Sequence, residues 1–567
     1  MKNYLWITIF FFQILWISCT DKPSQTLSKQ VFYMNLDAGL STLDPAYARD
    51  QASDWMTAQI FNGLVELDTA LSPRPAIAKR WKISDDGMTY TFYLRDDVLF
   101  HEHAEFGKNR TRNVVASDFV YTFTRICNPQ TASTGQWVFK GKISGLQAYQ
   151  DGLKNEISGF RAANDTTFEV RLTRPFPPFL GLLTMPYCRV VPHEVVSALG
   201  EDFRMNPIGT GPFRFYDWEE NYYLILHKNT SYFERIHGET LPYLDAIKVS
   251  FIPSRLSAFI EFLQGKLDML NGLDDSYKDE LFNTDGTVRE KYIDSFRIVR
   301  APQLNTEYLG ILVDSTRGSD HPLLDVRVRK ALNYAIDRQK LVTYLLNEMG
   351  YPAEAGFIPR GMPAFAPEKV QGFTYDPVQS RKLLEDAGYP GGTGLPEITL
   401  HSTPKYENIA EFIQKSFENV GVRLSIENLQ GGALRTEIYN SQIQFWRASW
   451  IADYPDGENY LALFYSKNHS PSGPNTTHFS IPAYDNLYET ALQIPHDSLR
   501  FILYQQMENM MLQHAPIIPL YYDRSLRLVQ HGISGFYSNP MNQLILKYIR
   551  KADQDSLNTR VNITYSD

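Results

Sequence analysis

The chain has 567 residues, 43% of them apolar and 21% charged, with a formal net charge of −9. That length exceeds what one hydrophobic core supports and implies two or three domains, and the composition excludes a disordered chain. A net negative chain without a long basic run gives nucleic acid little electrostatic footing, so no nucleic-acid partner is expected.

The chain opens on a targeting signal. Lys2 supplies a positive start, and Tyr4 to Ile17 form an apolar run of 14 residues broken only by Thr8 and Gln13. A spanning helix needs about 20. The run ends in Ser18-Cys19, and polar residues follow from Thr20 to Gln25. Residues 1–18 therefore read as a secretory signal. A cysteine directly after the apolar run, with a small residue before it, resembles the bacterial lipoprotein signal. That resemblance implies an acylated Cys19 at the head of a tether over 19–30. Trp16 stands where that signal usually has Leu, and ordinary secretion with an incidental cysteine is the alternative.

From Val31 the sequence is strand-like until Leu43-Asp44-Pro45. Trp55, Met56, Ile60, Phe61 and Leu64 recur at helical spacing and predict a helix from Ser53 to Leu67. The turn Ser84-Asp85-Asp86-Gly87 leads into an alternating strand from Thr89 to Leu94. Asp118 opens a helix through Ile126, and Thr167 to Leu172 alternate again. Leu224–His227 and Ile247–Ile252 read as strands, and Leu256–Gln264 as a helix. The clearest amphipathic helix is predicted from Arg327 to Leu346. Helices at 377–387, 409–420 and 501–514 alternate with strands at 398–402, 422–427 and 517–522. Alternation throughout defines an α/β fold.

Catalytic and phosphate-binding motifs are missing: there is no HExxH, GxSxG, Walker loop or GxGxxG. Gly209-Thr210-Gly211-Pro212 lacks a following Lys and reads as a tight turn. His101-Glu102-His103 is the one metal-like cluster, without clear further ligands, so no metal and no cofactor are expected. Cys127 and Cys188 have no CxxC partner. A disulfide between them and two buried thiols remain equally open.

One stretch concentrates binding chemistry. Trp446 to Asp453 carries two indoles (Trp446, Trp450), one cation (Arg447) and one carboxylate (Asp453) in eight residues, and the turn Tyr454-Pro455-Asp456-Gly457 follows. A carboxylate in a partly buried place needs a cation or donors. An α-ammonium supplies both. Arg447 has the planar fork that takes a carboxylate, either a ligand's or that of Asp453. Aromatic walls beside one anion and one cation fit a short peptide.

The stretch resembles the signature of the extracellular solute-binding proteins of family 5, the peptide-binding components of ABC importers. Ordered motifs extend the resemblance along nearly the whole mature chain: Leu43-Asp44-Pro45, Ile60-Phe61-Asn62-Gly63-Leu64, the segment Ser84 to Arg95, Gly209 to Phe213, Gly265-Lys266-Leu267-Asp268, Asp325 to Asp337 and Ala515 to Leu520. The resemblance implies a periplasmic-binding-protein fold of type II, in its large three-domain variant, with a cleft between hinged lobes. Lobe I would comprise 31–65, 206–300 and 520–567, with an extra domain over 66–205, and lobe II would comprise 301–519. Asp453 would bind the peptide's α-amino group, Trp450 would wall the first side-chain pocket, and Arg447 would lie where some peptide binders meet the carboxyl terminus. Asn271 would contact peptide backbone, and Ser41 would sit on a strand that the peptide pairs with. The implied protein is a monomer in the bacterial cell envelope, anchored on the periplasmic side, which passes peptides to an inner-membrane ABC permease and is not an enzyme. The same fold also takes nickel chelates, haem, oligosaccharides and opines; a peptidase is the rival from another class. His101 to Arg112 is longer than the family's turn there, and Leu312-Val313 replaces its usual Phe-Asn.

Overall fold

The computed structural model describes residues 30–37, 39–273, 280–283, 287–293, 295–314 and 321–552. The signal segment, Cys19 and the tether up to residue 29 lie outside the described residues. Among the described residues no helix is long and apolar enough to cross a membrane.

One mixed sheet of eleven strands runs through the molecule. In chain order its strands are β1 (Val31–Asn35), β2 (Phe213–Glu219), β3 (Tyr223–Lys228), β4 (Ala246–Ser250), β5 (Met269–Asn271), β6 (Arg297–Ile311), β7 (Gly350–Pro352), β8 (Ile398–Ser402), β9 (Leu424–Asn428), β10 (Phe445–Ile451) and β11 (Ile517–Val529). In space the order is β9-β8-β10-β6-β11-β5-β1-β4-β3-β2, with β7 paired to β11. The half from β5 to β2 packs on a core that includes Phe32, Met34, Trp55, Leu226 and Val249. The half from β9 to β6 packs on another that includes Leu309, Val328, Leu332, Ile413 and Phe445. A separate four-stranded sheet (Ala78–Ile83, Thr89–Leu94, Thr167–Arg171, Phe160–Asn164) is covered by the helix Ala116–Cys127.

The two long strands, β6 and β11, join the halves. They pair antiparallel from Arg297↔Val529 to Gly310↔Ile517, with register shifts at Pro302/Thr306 and Glu307/Tyr308. Pro302 has no N–H for the ladder, and shifts of this kind bend a strand and re-aim its side chains. Asn305, Thr306 and Glu307 lie at this bend, where the sheet passes from one half to the other.

Two predicted helices end early for readable reasons. The first spans Gln51–Ile60, with Asp50 accepting from the Ser53 N–H at 2.9 Å. Gly211 N donates to the Ile60 carbonyl at 2.7 Å, and a Cβ at Gly209 would lie 2.1 Å from that same oxygen. The Gly-Thr-Gly turn thus caps the helix by close backbone approach, which only glycine permits. Phe61 is extended, and Val65–Leu67 is a strand. The helix expected over Arg327–Leu346 breaks at Ile336 (φ −96°, ψ 119°) after Val326–Ala335. Asp337 caps a new turn, and the fully buried Arg338 donates to the carbonyls of Pro519 and Asn333 at 2.6 and 3.0 Å.

His101 is buried and braces the Gly209–Gly211 turn, with Nε2 3.0 Å from the Gly211 carbonyl and its backbone N–H 2.7 Å from that of Gly209. Burial pulls its pKa down to about 4. Among the described residues no group of His, Cys, Asp and Glu is arranged to hold a metal. Cys127 and Cys188 are buried, unbonded thiols.

Candidate functional site

Strand alternation divides the Trp446–Asp453 stretch. Trp446, Ala448 and Trp450 point to one face of β10; Arg447, Ser449 and Ile451 point to the other. Trp446 is 1% exposed and packs with Leu312, Leu434, Ile438 and Ile443, so it is core rather than a ligand wall. Trp450 is half-buried and donates from Nε1 to Asn459 Oδ1 at 2.9 Å. One edge of β10 pairs with β6 along its whole length, from Ile311↔Phe445 to Asn305↔Ile451. The other edge meets β8 at one pair only, His401↔Trp446. From Ala448 onward that edge has no strand beside it among the described residues, and an extended ligand can add there.

Asp453 lies just past this open edge. Its side chain is solvent-exposed, yet the protein around it is dense enough to raise its carboxyl above the ordinary value by desolvation. Such a group is open to solvent on one side and packed against protein on the other. Its bonds run to Asn459, whose Nδ2 donates to Asp453 Oδ2 at 3.3 Å and whose Oδ1 accepts from the Asp453 N–H at 3.2 Å. Among the described residues no cation pairs with it. The turn that carries it is rigidly built. Asp456 accepts from Arg500 at 2.7 Å, Tyr504 at 2.8 Å and the Glu458 N–H at 2.9 Å. Glu458 accepts from the hydroxyls of Tyr454 and Tyr488. Tyr460 donates to the Leu304 carbonyl at 2.9 Å, tying the turn to β6.

Arg447 does not reach Asp453. Its guanidinium pairs with Glu307 on β6 and lies 3.3 Å from the Tyr406 ring centroid. Asn305 Nδ2 donates to Glu307 Oε1 at 3.1 Å and also to Asp523 on β11. Burial raises the Glu307 carboxyl; Arg447 opposes that shift and Asp523 reinforces it.

Ser41 and Asn271 come together on the other half of the sheet, in one cavity of about 310 Å³ that also includes Asn35, Asp50, Trp55 and Arg255. Asn271 ends β5 and accepts from Arg527 Nε at 3.4 Å. Ser41 is not on a strand: its hydroxyl donates to Asp50 at 2.8 Å and lies 3.1 Å from Ser53 Oγ, so it braces the helix start that Asp50 caps. Asp453 is outside that cavity. Tyr187 is a buried core residue whose hydroxyl is raised chiefly by burial, with smaller contributions from Asp453 and Asp54.

The sequence-predicted residues thus fall on two halves of one sheet, Trp450 and Asp453 by β10 and Ser41 and Asn271 by β5. The family model for bacterial extracellular solute-binding proteins, family 5 Middle, covers residues 72–472. The chain belongs to that family of solute-binding proteins. It is 27% identical over 504 residues to the dipeptide-binding protein of Escherichia coli (strain K12), covering 86% of this chain and 88% of that one. It is 26% identical over 542 residues to the periplasmic oligopeptide-binding protein OppA of Salmonella typhimurium, covering 94% of each. Among solved structures, the unliganded open form of the periplasmic murein tripeptide binding protein MppA superposes with a TM-score of 0.79 at 25% identity, over 93% of this chain and 98% of that one. These likenesses fix the fold as the large, multi-domain type II architecture of periplasmic binding proteins.

Several residues of this solute-binding protein's cleft escape sequence reading. Glu307 is 140 positions from Arg447, and a single acid in a mixed polar and apolar strand carries no motif. Asp523 and Asn305 are equally silent. Asn459 and Tyr460 lie just past the stretch singled out in the sequence, and Asn459, six residues after Asp453, meets it across the turn.

Proposed function

We propose that this family member captures short peptides by their α-ammonium group and delivers them to an ABC importer. One observation carries the reading: Asp453 is a wet, crowded carboxylate with no cationic partner among the described residues, set at the end of an unpaired strand edge. A peptide satisfies both at once. Its ammonium supplies three donors and a charge to Asp453, and its backbone pairs with the open edge of β10. Backbone pairing gives affinity without reading sequence. Trp450 walls the first side chain, while Asn271 and Ser41 face the ligand from the opposite half. The relatives' names support the ligand class: a dipeptide-binding protein and an oligopeptide-binding protein align over most of the chain.

The lobes in this reading are 31–65 with 206–300 and 520–567, carrying the domain 66–205, and 301–519; β6 and β11 are the hinge between them. The protein acts as a monomeric binder rather than an enzyme, held on the periplasmic side of the envelope through an acylated Cys19. Native mass spectrometry of protein purified without denaturation tests the ligand. Co-purified masses that fragment as peptides with free amino termini are expected; a chelate, haem or sugar in their place contradicts the reading. Detergent phase partitioning tests the anchor: full-length protein in the detergent phase and Cys19→Ala in the aqueous phase are expected.

A further inference from the structure

Arg527 on β11 is a buried cation that the chain leaves incompletely partnered. It is 0% exposed. Its Nη2 donates to the carbonyl and to Oδ1 of Asn542 at 3.3 and 2.7 Å, its Nε donates to Asn271 Oδ1 at 3.4 Å, and its Nη1 has no partner among the described residues. The rings of Trp55 and Phe536 lie 5.0 and 5.7 Å from the guanidinium carbon, but no carboxylate among the described residues acts on it. Burial lowers its pKa to about 10, so it stays charged at neutral pH. Arg329 and Arg338 are also buried without an ion pair, yet each donates to four backbone carbonyls. A buried charge with neither acid nor a full set of acceptors is costly.

The second observation is where Arg527 stands. It pairs across the sheet with Asn271 of β5, and residues directly opposite share a face. Asn271 and Trp55 both line the cavity of about 310 Å³, so the guanidinium lies directly behind its wall. Asn271 turns its Oδ1 to Arg527, which leaves the Nδ2 donors for the cavity. The acids of that cavity are already occupied: Asp50 accepts from the Ser53 N–H and from the hydroxyls of Ser53 and Ser41, and Asp37 pairs with Arg255.

Resting on the peptide reading above, we propose that this cavity is the subsite for a ligand carboxylate, with Asn271 as the contact and Arg527 as the positioning residue whose charge stands behind it. Arg447 is committed to Glu307 and is not free for that group. The Asn271 amide donates to the carboxylate, and the buried guanidinium gains the counter-charge that the chain does not supply. Away from water that attraction is several times stronger. The ammonium at Asp453 and the carboxylate at Asn271 then fall on opposite halves of the sheet, so a zwitterion bridges the halves.

The test is calorimetry with dialanine to pentaalanine, each as free acid and as C-terminal amide, and with amides that carry one Glu, all with free amino termini. The wild-type protein is expected to bind its best free acid about tenfold or more tighter than the matching amide. The same preference for a Glu-bearing amide, without one for free acids, assigns the subsite to a side-chain carboxylate. Asn271→Leu and Arg527→Gln are each expected to remove most of the preference, and Arg527→Lys, which keeps the charge, to retain it. A packing role alone would lower acid and amide affinity alike and leave their ratio unchanged in Arg527→Gln, which would overturn the assignment of Arg527. Equal binding of acid, amide and Glu-bearing amide by the wild type, or an unchanged preference in Asn271→Leu, overturns the subsite and leaves the peptide reading standing. Failure of every peptide to bind overturns the peptide reading and the subsite with it.

Discussion

Asp453 and Asp456 lie three residues apart in one turn and have opposite lives. Asp456 is buried and saturated: Arg500, Tyr504 and a backbone N–H occupy its oxygens. Asp453 is wet, crowded and bonded only through Asn459. The protein satisfies the carboxylate that shapes the turn with its own groups; in the proposed reading its neighbour is left for the ligand. The difference between structure and binding here lies in the partners, not in the residue type.

The comparison breaks first at Asp456. Asp456→Ala removes the buried partner of Arg500, leaving it only the exposed Asp497, and is expected to cost about 3 kcal/mol in urea unfolding. Asp453→Asn removes no internal cation and is expected to leave unfolding within about 0.5 kcal/mol of wild type. Loss of stability in the second and none in the first would reverse the assignment.

Glu508 supplies a third case, a buried carboxylate held by the N–H groups of Phe357 and Ile358, with burial raising its pKa from 4.5 to about 7. The folded state then binds more protons than the unfolded state between those values, so stability falls as pH rises through that window. The full effect is about 3 kcal/mol above pH 7. Glu508→Gln is expected to flatten that fall relative to wild type in pH-dependent unfolding; an unchanged slope counts against it. The smallest effect is at the tie to β6. Tyr460→Phe loses the bond to the Leu304 carbonyl and is expected to cost about 1 kcal/mol.

Sequence patterns showed the α/β alternation and most elements, because period-2 and period-3.6 burial is local. They failed where a distant backbone or a buried side chain intervened. The first helix stops at Ile60 because Gly209 and Gly211, some 150 positions on, press against its carbonyl. The long helix breaks at Ile336 because Arg338 turns inward to four carbonyls. At the candidate site, charge beside aromatic residues before a turn points to Asp453 and Trp450, and the structure places both at the open end of β10. Trp446 was not, since strand alternation sends it into the core, and Arg447 found its acid on another strand. Ser41 was read as a strand residue, but Asp50 and Ser53 claim its hydroxyl.

Calorimetry with paired free and N-acetylated peptides tests the central claim most directly. Wild-type protein is expected to bind the free peptide and to lose about a hundredfold or more in affinity on acetylation, with Asp453→Asn binding both forms equally weakly. Equal affinity of wild-type protein for free and acetylated peptides would contradict the assignment of Asp453 as the ammonium anchor.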